Sequence, residues 1–215
     1  MTMWALVLGI VAILMLWLFL KRLWLGSTEG GQAVSLRECL TKQAQKRQGR
    51  VHVRNGRYTL TFPYQSASID VSAVISSEEV YTECTYATVR IENLTDKDFK
   101  VLINSDSLLL KPLVIGTRFK FADEQFNESY VVVANDSTLI KNLFTQEVRD
   151  KLRQATLQVM FGRRIDAPIL DREQGWLSVF TQGLRMQDEV LDVLVETTMT
   201  LYDRMKALNG SGDTN

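Results

Sequence analysis

Hydrophobic positions follow three different patterns along this chain. From Trp4 to Leu20 they form one unbroken run (WALVLGIVAILMLWLFL), without charge or proline, stopped by Lys21 and Arg22. As a helix rising about 1.5 Å per residue, Trp4 to Trp24 covers roughly 30 Å, the thickness of a bilayer's hydrocarbon core. Over residues 35–48 the pattern thins to a helical stripe of Leu36, Cys39, Leu40 and Ala44. Ser35 and Glu38 form a capping box before this stripe, and Gly49 stops it. Beyond residue 50, short runs rich in Val, Ile, Thr and Tyr predict strands, with helical stretches between them.

Val51–Arg54 and Arg57–Phe62 flank Asn55-Gly56, which predicts a hairpin closed by a type I′ turn. Further strands are predicted at 67–75, 80–92 and 99–104. Residues 108–115, broken by Pro112, read as an edge or a bend. The apolar strand at 129–134 is expected in the middle of the sheet. Asp136 then caps a helical turn over 138–143, and Thr145 caps a helix over 146–154. Strands at 156–161 and 176–181 follow, separated by a polar loop with Arg163 and Arg164. A closing helix is predicted from 186 to 208, with acids in its first turn and Gly210 as its stop.

Strands come in runs rather than in βαβ alternation. The predicted fold class is therefore α+β: one N-terminal transmembrane helix, then a mostly antiparallel sheet with flanking helices and a long C-terminal amphipathic helix. The expected organisation is an anchor over 1–25, a Gly-rich linker over 26–34, one α+β domain over 35–210 and a disordered tail over 211–215.

A cleaved signal peptide fits the first 25 residues poorly. It needs a basic n-region and a small-residue cleavage site, whereas Met-Thr-Met precedes the run and Leu23-Trp24-Leu25 follows it. Trp4, Trp17 and Trp24 suit an aromatic belt. Lys21 and Arg22 on the C-terminal flank predict a single-pass protein with its N-terminus outside and its domain cytoplasmic. Four Asn-x-Ser/Thr sequons, at Asn93, Asn127, Asn135 and Asn209, run against that orientation but read more simply as turn and cap residues. The two cysteines, Cys39 and Cys84, are expected to be separate free thiols.

The 25 basic and 25 acidic residues balance, but unevenly. Residues 26–57 carry seven basic and two acidic side chains, and the rest of the domain is acidic. Arg37, Lys42, Lys46, Arg47, Arg50, Arg54 and Arg57 are thus candidate contacts for anionic lipid. A solvated helix face is the plainer use of the same charges. Nucleic acid is disfavoured because no aromatic residues interleave with them. On the closing helix, Leu191, Leu194, Thr198, Leu201, Met205 and Leu208 recur at spacings of three and four. Such a seam can pack on the domain's own sheet, or serve a protein partner or a second copy.

The segments GRVHVRNGRYTLTF, YTECTYATVRI and FNESYVVVANDSTLIKNLFTQEVRDKL, with the closing DEVLDVLVETTMTLYDRM, resemble uncharacterised bacterial single-pass membrane-anchored proteins that carry a C-terminal α+β domain. Gln146 stands where proline is common in them. The resemblance implies the anchor and the fold. It implies no activity.

Residue chemistry points away from known catalytic motifs. No phosphate-binding loop, dinucleotide fingerprint or nucleophile elbow occurs. One histidine, His52, and two distant cysteines cannot assemble a typical zinc site, and no cofactor is expected. Glu78-Glu79 and Asp123-Glu124 read as solvated turn residues. The expectation is a non-enzymatic binding or scaffold module contacting a protein partner. The competing class is an enzyme whose site is dispersed in sequence. A pocket lined by convergent acids, His52, Arg163 or Arg164 would favour it.

Overall fold

In the computed structural model, the hairpin around Gly56 forms one end of an antiparallel sheet. The structure describes residues 36–54, 56–74, 83–92, 97–103, 117–162, 164–165, 174–185 and 187–210. The chain divides into two compact units, Met1–Glu38 and Cys39–Asn215. Among the described residues, helix α1 (36–47) precedes strands β1 (Arg50–Arg54), β2 (Arg57–Tyr64), β3 (Ala67–Val74), β4 (Cys84–Arg90), β5 (Phe99–Ile103) and β6 (Thr117–Phe119). Helix α2 (Glu124–Ser129), strand β7 (Tyr130–Ala134) and helices α3 (Ser137–Leu143) and α4 (Gln146–Gln154) follow. Strands β8 (Gln158–Gly162) and β9 (Trp176–Gln182) and helix α5 (Asp188–Gly210) close the chain.

Strand order is β1-β2-β3-β4-β9-β8-β5-β7-β6. The first four strands form a meander, and β9, from late in the chain, joins them to β8 and β5. Register defines the two faces, because successive residues of a strand point to opposite sides. One row across all the strands reads Val51, Leu60, Val71, Ala87, Val179, Val159, Val101, Val132, Phe119. The adjacent row, on the opposite face, reads Arg50, Thr61, Asp70, Thr88, Ser178, Met160, Lys100, Val133, Arg118.

The helices lie on the apolar face. Phe144, the C-cap of α3, meets Phe99 edge-on at 5.5 Å, and Phe126 of α2 stacks on Tyr130 at 4.6 Å. Tyr202 of α5 meets Tyr64 at 5.9 Å, and Arg47 of α1 lies over Phe62. Burying aliphatic and aromatic side chains between sheet and helices supplies the main driving force for this arrangement. Tyr130 adds a polar link: its hydroxyl donates to the Leu152 carbonyl of α4 at 2.9 Å. Burial pushes its phenol up to about 12. The opposite face has a smaller buried cluster of Cys84, Tyr86, Leu102, Met160, Ile165 and Phe180.

Several expectations change. The apolar strand at 129–134 is β7, which lies next to the edge rather than in the middle, covered on one side by β6. Its hydrophobicity comes from one fully buried face (Tyr130, Val132, Ala134) and one half-buried face. Gly49 does not stop α1 by adopting a left-handed conformation. Gln48 does that, with φ 55°, and the Gly49 N–H then bonds the Ala44 carbonyl. Gly49 is needed for close approach, because a Cβ there would sit 2.9 Å from the Thr61 carbonyl oxygen. Thr145 holds the N-cap position of α4, yet its side chain makes no capping bond. Gly210 is the last residue of α5 rather than its stop. The expected edge at 108–115 lies outside the described residues.

The membrane assignment is corrected. The apolar run, with Trp4, Trp17, Lys21, Arg22 and Trp24, lies outside the described residues. Among the described residues, no helix is long and apolar enough to cross a membrane. The longest, α5, has 23 residues, and Asp188, Glu189, Asp192, Glu196, Asp203, Arg204 and Lys206 interrupt its hydrophobicity. The single-pass localisation and the cytoplasmic orientation are therefore not carried forward.

Candidate functional site

The basic residues of α1 and those of the hairpin meet different surroundings. On α1, Lys46 and Arg47 hold the Asp192 carboxylate of α5 at 2.6 and 2.9 Å, and Lys42 lies 3.7 Å from Asp188. Burial would raise the Asp192 carboxyl, but the Lys46 and Arg47 bonds hold it below the usual carboxylate range. These cations tie one helix to another. Arg37 lies on the first turn of α1, within the unit Met1–Glu38.

The predicted seam on α5 is occupied inside the domain. Leu191, Leu194, Thr198, Leu201 and Met205 have no exposed surface, and Leu208 is half-buried. Helix α5 packs across β4 and β9 and against α3 and α4. Of the seam, Leu208 alone keeps open surface.

The hairpin cations stay outward. Arg50, His52 and Arg54 project from β1 on the polar face of the sheet, and Arg57 stands directly opposite Arg54. Two guanidinium groups facing each other across a strand pair repel. Among the described residues, Arg50, His52 and Arg57 make no ion pair or side-chain hydrogen bond. Beside this face opens a cleft of about 670 Å³. Its wall includes His52 and Arg54 of β1, Asp70 of β3, Arg90 of β4, Trp176 of β9 and Lys206 of α5.

A buried ion pair organises the cleft floor. Arg164 donates to Asp70 Oδ2 at 3.0 Å, Arg54 reaches the same oxygen at 3.3 Å, and the Thr61 hydroxyl donates to Oδ1 at 2.7 Å. Both oxygens of this carboxylate are thus engaged. The Arg164 guanidinium also lies over the Trp176 ring, 4.7 Å from its centroid. Among the described residues, buried Trp176 Nε1 has no hydrogen-bond partner. The neighbouring Gly175 brings β9 close to the end of β4: its φ is +86°, and an added Cβ would sit 2.7 Å from the Ile91 carbonyl oxygen. The Ile91 N–H donates to Gly175 O at 2.7 Å. At the far wall, Lys206 donates to the Ser66 hydroxyl at 2.7 Å, and the Tyr202 and Ser66 hydroxyls lie 3.3 Å apart.

The other singled-out residues have structural places. Asp136 caps α3, accepting from the Thr138 and Leu139 N–H groups, and Lys97 pairs with it at 3.0 Å. The Leu139 N–H and Lys97 hold its carboxyl below the usual range. Asp123 is not a solvated turn residue. It caps α2 and binds Arg149 and Arg153 of α4 at 3.2 and 3.3 Å. Burial opposes its ionisation, yet the Phe126 N–H and the two arginines lower its carboxyl. The sequon residues described serve structure, Asn127 locally and Asn135 and Asn209 across the fold. The Asn127 side chain accepts from the Phe121 N–H and donates to the Phe121 carbonyl, Asn135 accepts from the Asp98 N–H, and Asn209 donates to the Glu92 carbonyl. Asn93, Glu78, Glu79 and Arg163 lie outside the described residues. Cys39 and Cys84 form no disulfide. Among the described residues, no group of three or more His, Cys, Asp or Glu side chains converges as a metal ion would need.

The cleft was not legible from spacing. Arg164 reads in sequence as a loop residue, and its partner Asp70 lies 94 positions away. Only the β3–β4–β9 pairing brings the two together.

Fold and site define an α+β protein with a helix-covered apolar face, a polar face with a basic hairpin, and a cleft beside it lined by Arg54, Arg90 and Lys206 together with the acids Asp70 and Glu92. The sequence matches no protein-family model and no curated protein.

Proposed function

We propose that this chain is a binding module for an acidic segment of a protein partner. The observation that carries the reading is the basic hairpin face, where Arg54 and Arg57 stand opposed and Arg50, His52 and Arg57 lack anionic partners among the described residues. A carboxylate placed between the two arginines would replace a repulsion with charge-assisted hydrogen bonds. The adjoining cleft adds Arg90 and Lys206, with Trp176 and Tyr202 as apolar walls. Its buried acid, Asp70, is already neutralised by Arg164 and so adds little repulsion toward an incoming anion.

An enzymatic use has one observation in its favour, His52 in the cleft wall. That imidazole is exposed, and no hydroxyl or carboxylate holds it among the described residues. Asp70 accepts from Thr61, Arg54 and Arg164, not from His52. Binding is the better-supported use of the same groups.

The test is titration of the full chain with a fluorescent glutamate-rich peptide at low salt, read by anisotropy. Saturable binding is expected, weakening as salt rises. The R50E/R57E variant should lose at least about tenfold, or roughly 1.4 kcal/mol. A variant at the distant edge strand, R118E, should bind normally. No binding by the native chain, or equal binding by R50E/R57E, would sink the reading. So would a chain that ignores the peptide but binds phosphatidylserine vesicles through the same arginines.

A further inference from the structure

Among the described residues, β1 is the last strand of the sheet on its side and pairs only with β2. Along its outer edge, every second backbone N–H and C=O points away from the sheet, as on any edge strand. Native proteins blunt such edges with proline, bulges or covering segments. Among the described residues β1 has none of these: RVHVR contains no proline, its register with β2 is continuous, and four of its five side chains are exposed. Val53 is 62 % exposed, the most open large hydrophobic side chain among the described residues. Charge is the remaining protection, and it lies on one face only. Arg50, His52 and Arg54 point to the polar face, Val51 and Val53 to the other.

This pattern selects its partner. A second copy of the chain pairing through β1 would lay one Arg-His-Arg row beside another, and such like-charge neighbours disfavour the pair. A strand alternating acidic and aliphatic residues meets both faces correctly. Its carboxylates would lie beside Arg50, His52 and Arg54, and its aliphatic side chains beside Val51 and Val53. We infer that the acidic partner segment binds as an extended strand added to the free edge of β1. The main chain would supply hydrogen bonds and the alternating side chains would supply selectivity. This inference rests on the acidic-partner reading and adds the conformation and sequence pattern of the segment.

The test uses the full chain and a capped peptide of alternating glutamate and valine. Two companions carry N-methyl groups, one on all valine amides and the other on all glutamate amides. In a strand, only one of these sets can face β1. One methylated peptide should therefore lose at least about tenfold in affinity while the other keeps most of it. Amide hydrogen exchange in β1 should slow when the parent peptide is bound. If both methylated peptides bind like the parent, acidic recognition stands and strand addition is overturned. If no acidic peptide binds, the underlying reading fails as well. Sedimentation of the free chain as a dimer with protected β1 amides would assign the edge to a second copy and overturn the proposal.

Discussion

Thr156 ends helix α4 with φ 53°, a left-handed conformation that a β-branched residue adopts only under constraint. The constraint is visible. The Leu157 N–H bonds the Leu152 carbonyl at 2.8 Å, and Leu157 is fully buried, so the chain must turn at 156 to reach its place. Thr156 is exposed, and its side chain takes no part in the core. Thr156→Gly should therefore raise stability by about 1 kcal/mol, measured as a shift in the denaturation midpoint with unchanged slope. Residues of this kind mark what sequence can and cannot convey. Asp136 was readable as a cap because its partners are two and three residues away. Asp123 was half-readable: its capping role is local, but the arginines that hold it come from another helix. Arg164 was unreadable, because nothing near it in sequence indicates a buried carboxylate partner.

Most elements were legible where a long pattern or a specific turn announced them. The hairpin around Gly56, the strands β3 to β5, α4 and the closing helix fall where their periodicity puts them. The short elements β6 and α2 were missed. Each has too few residues for a period to register: β6 spans three residues, and α2 spans six with only Phe126 buried. The α1–α5 contact was likewise unpredicted, since basic charge on one helix and acidic charge on another do not reveal that they face each other. Its energetics follow from the depressed Asp192 carboxyl. An acid whose carboxyl is lowered on folding stabilises the fold above its unfolded value of about 4 and loses that contribution as pH falls through the lower folded value. Asp192→Asn should thus cost about 1 kcal/mol at neutral pH and almost nothing in strong acid. Denaturant melts of both proteins at pH 7 and below pH 3 would check this, and an equal gap at both pH values would refute it.

At the scale of the whole molecule, two neighbouring rows of residues divide the labour. The row from Val51 to Phe119 carries the helices, and the row from Arg50 to Arg118 places polar side chains across the opposite face. Alternation within each strand could be read in advance, but the order of strands could not. That order sets Thr88 between Asp70 and Ser178 and leaves β1 at an edge. Tyr130 ties the apolar face to its helices, because its ring belongs to the sheet and its hydroxyl to a carbonyl of α4. With its phenol raised to about 12, the neutral ring favours the folded state below pH 10, and that contribution fades as pH climbs toward 12. Ionised phenolate absorbs in the near ultraviolet where the neutral ring does not. Burial and the Asp203 carboxylate raise the Tyr64 phenol as well, so an alkaline titration followed by absorbance should show late-ionising tyrosines from which Tyr130→Phe removes one, the component whose appearance tracks unfolding. The molecule thus carries an optical gauge of whether its helices are docked on its sheet, readable without any label.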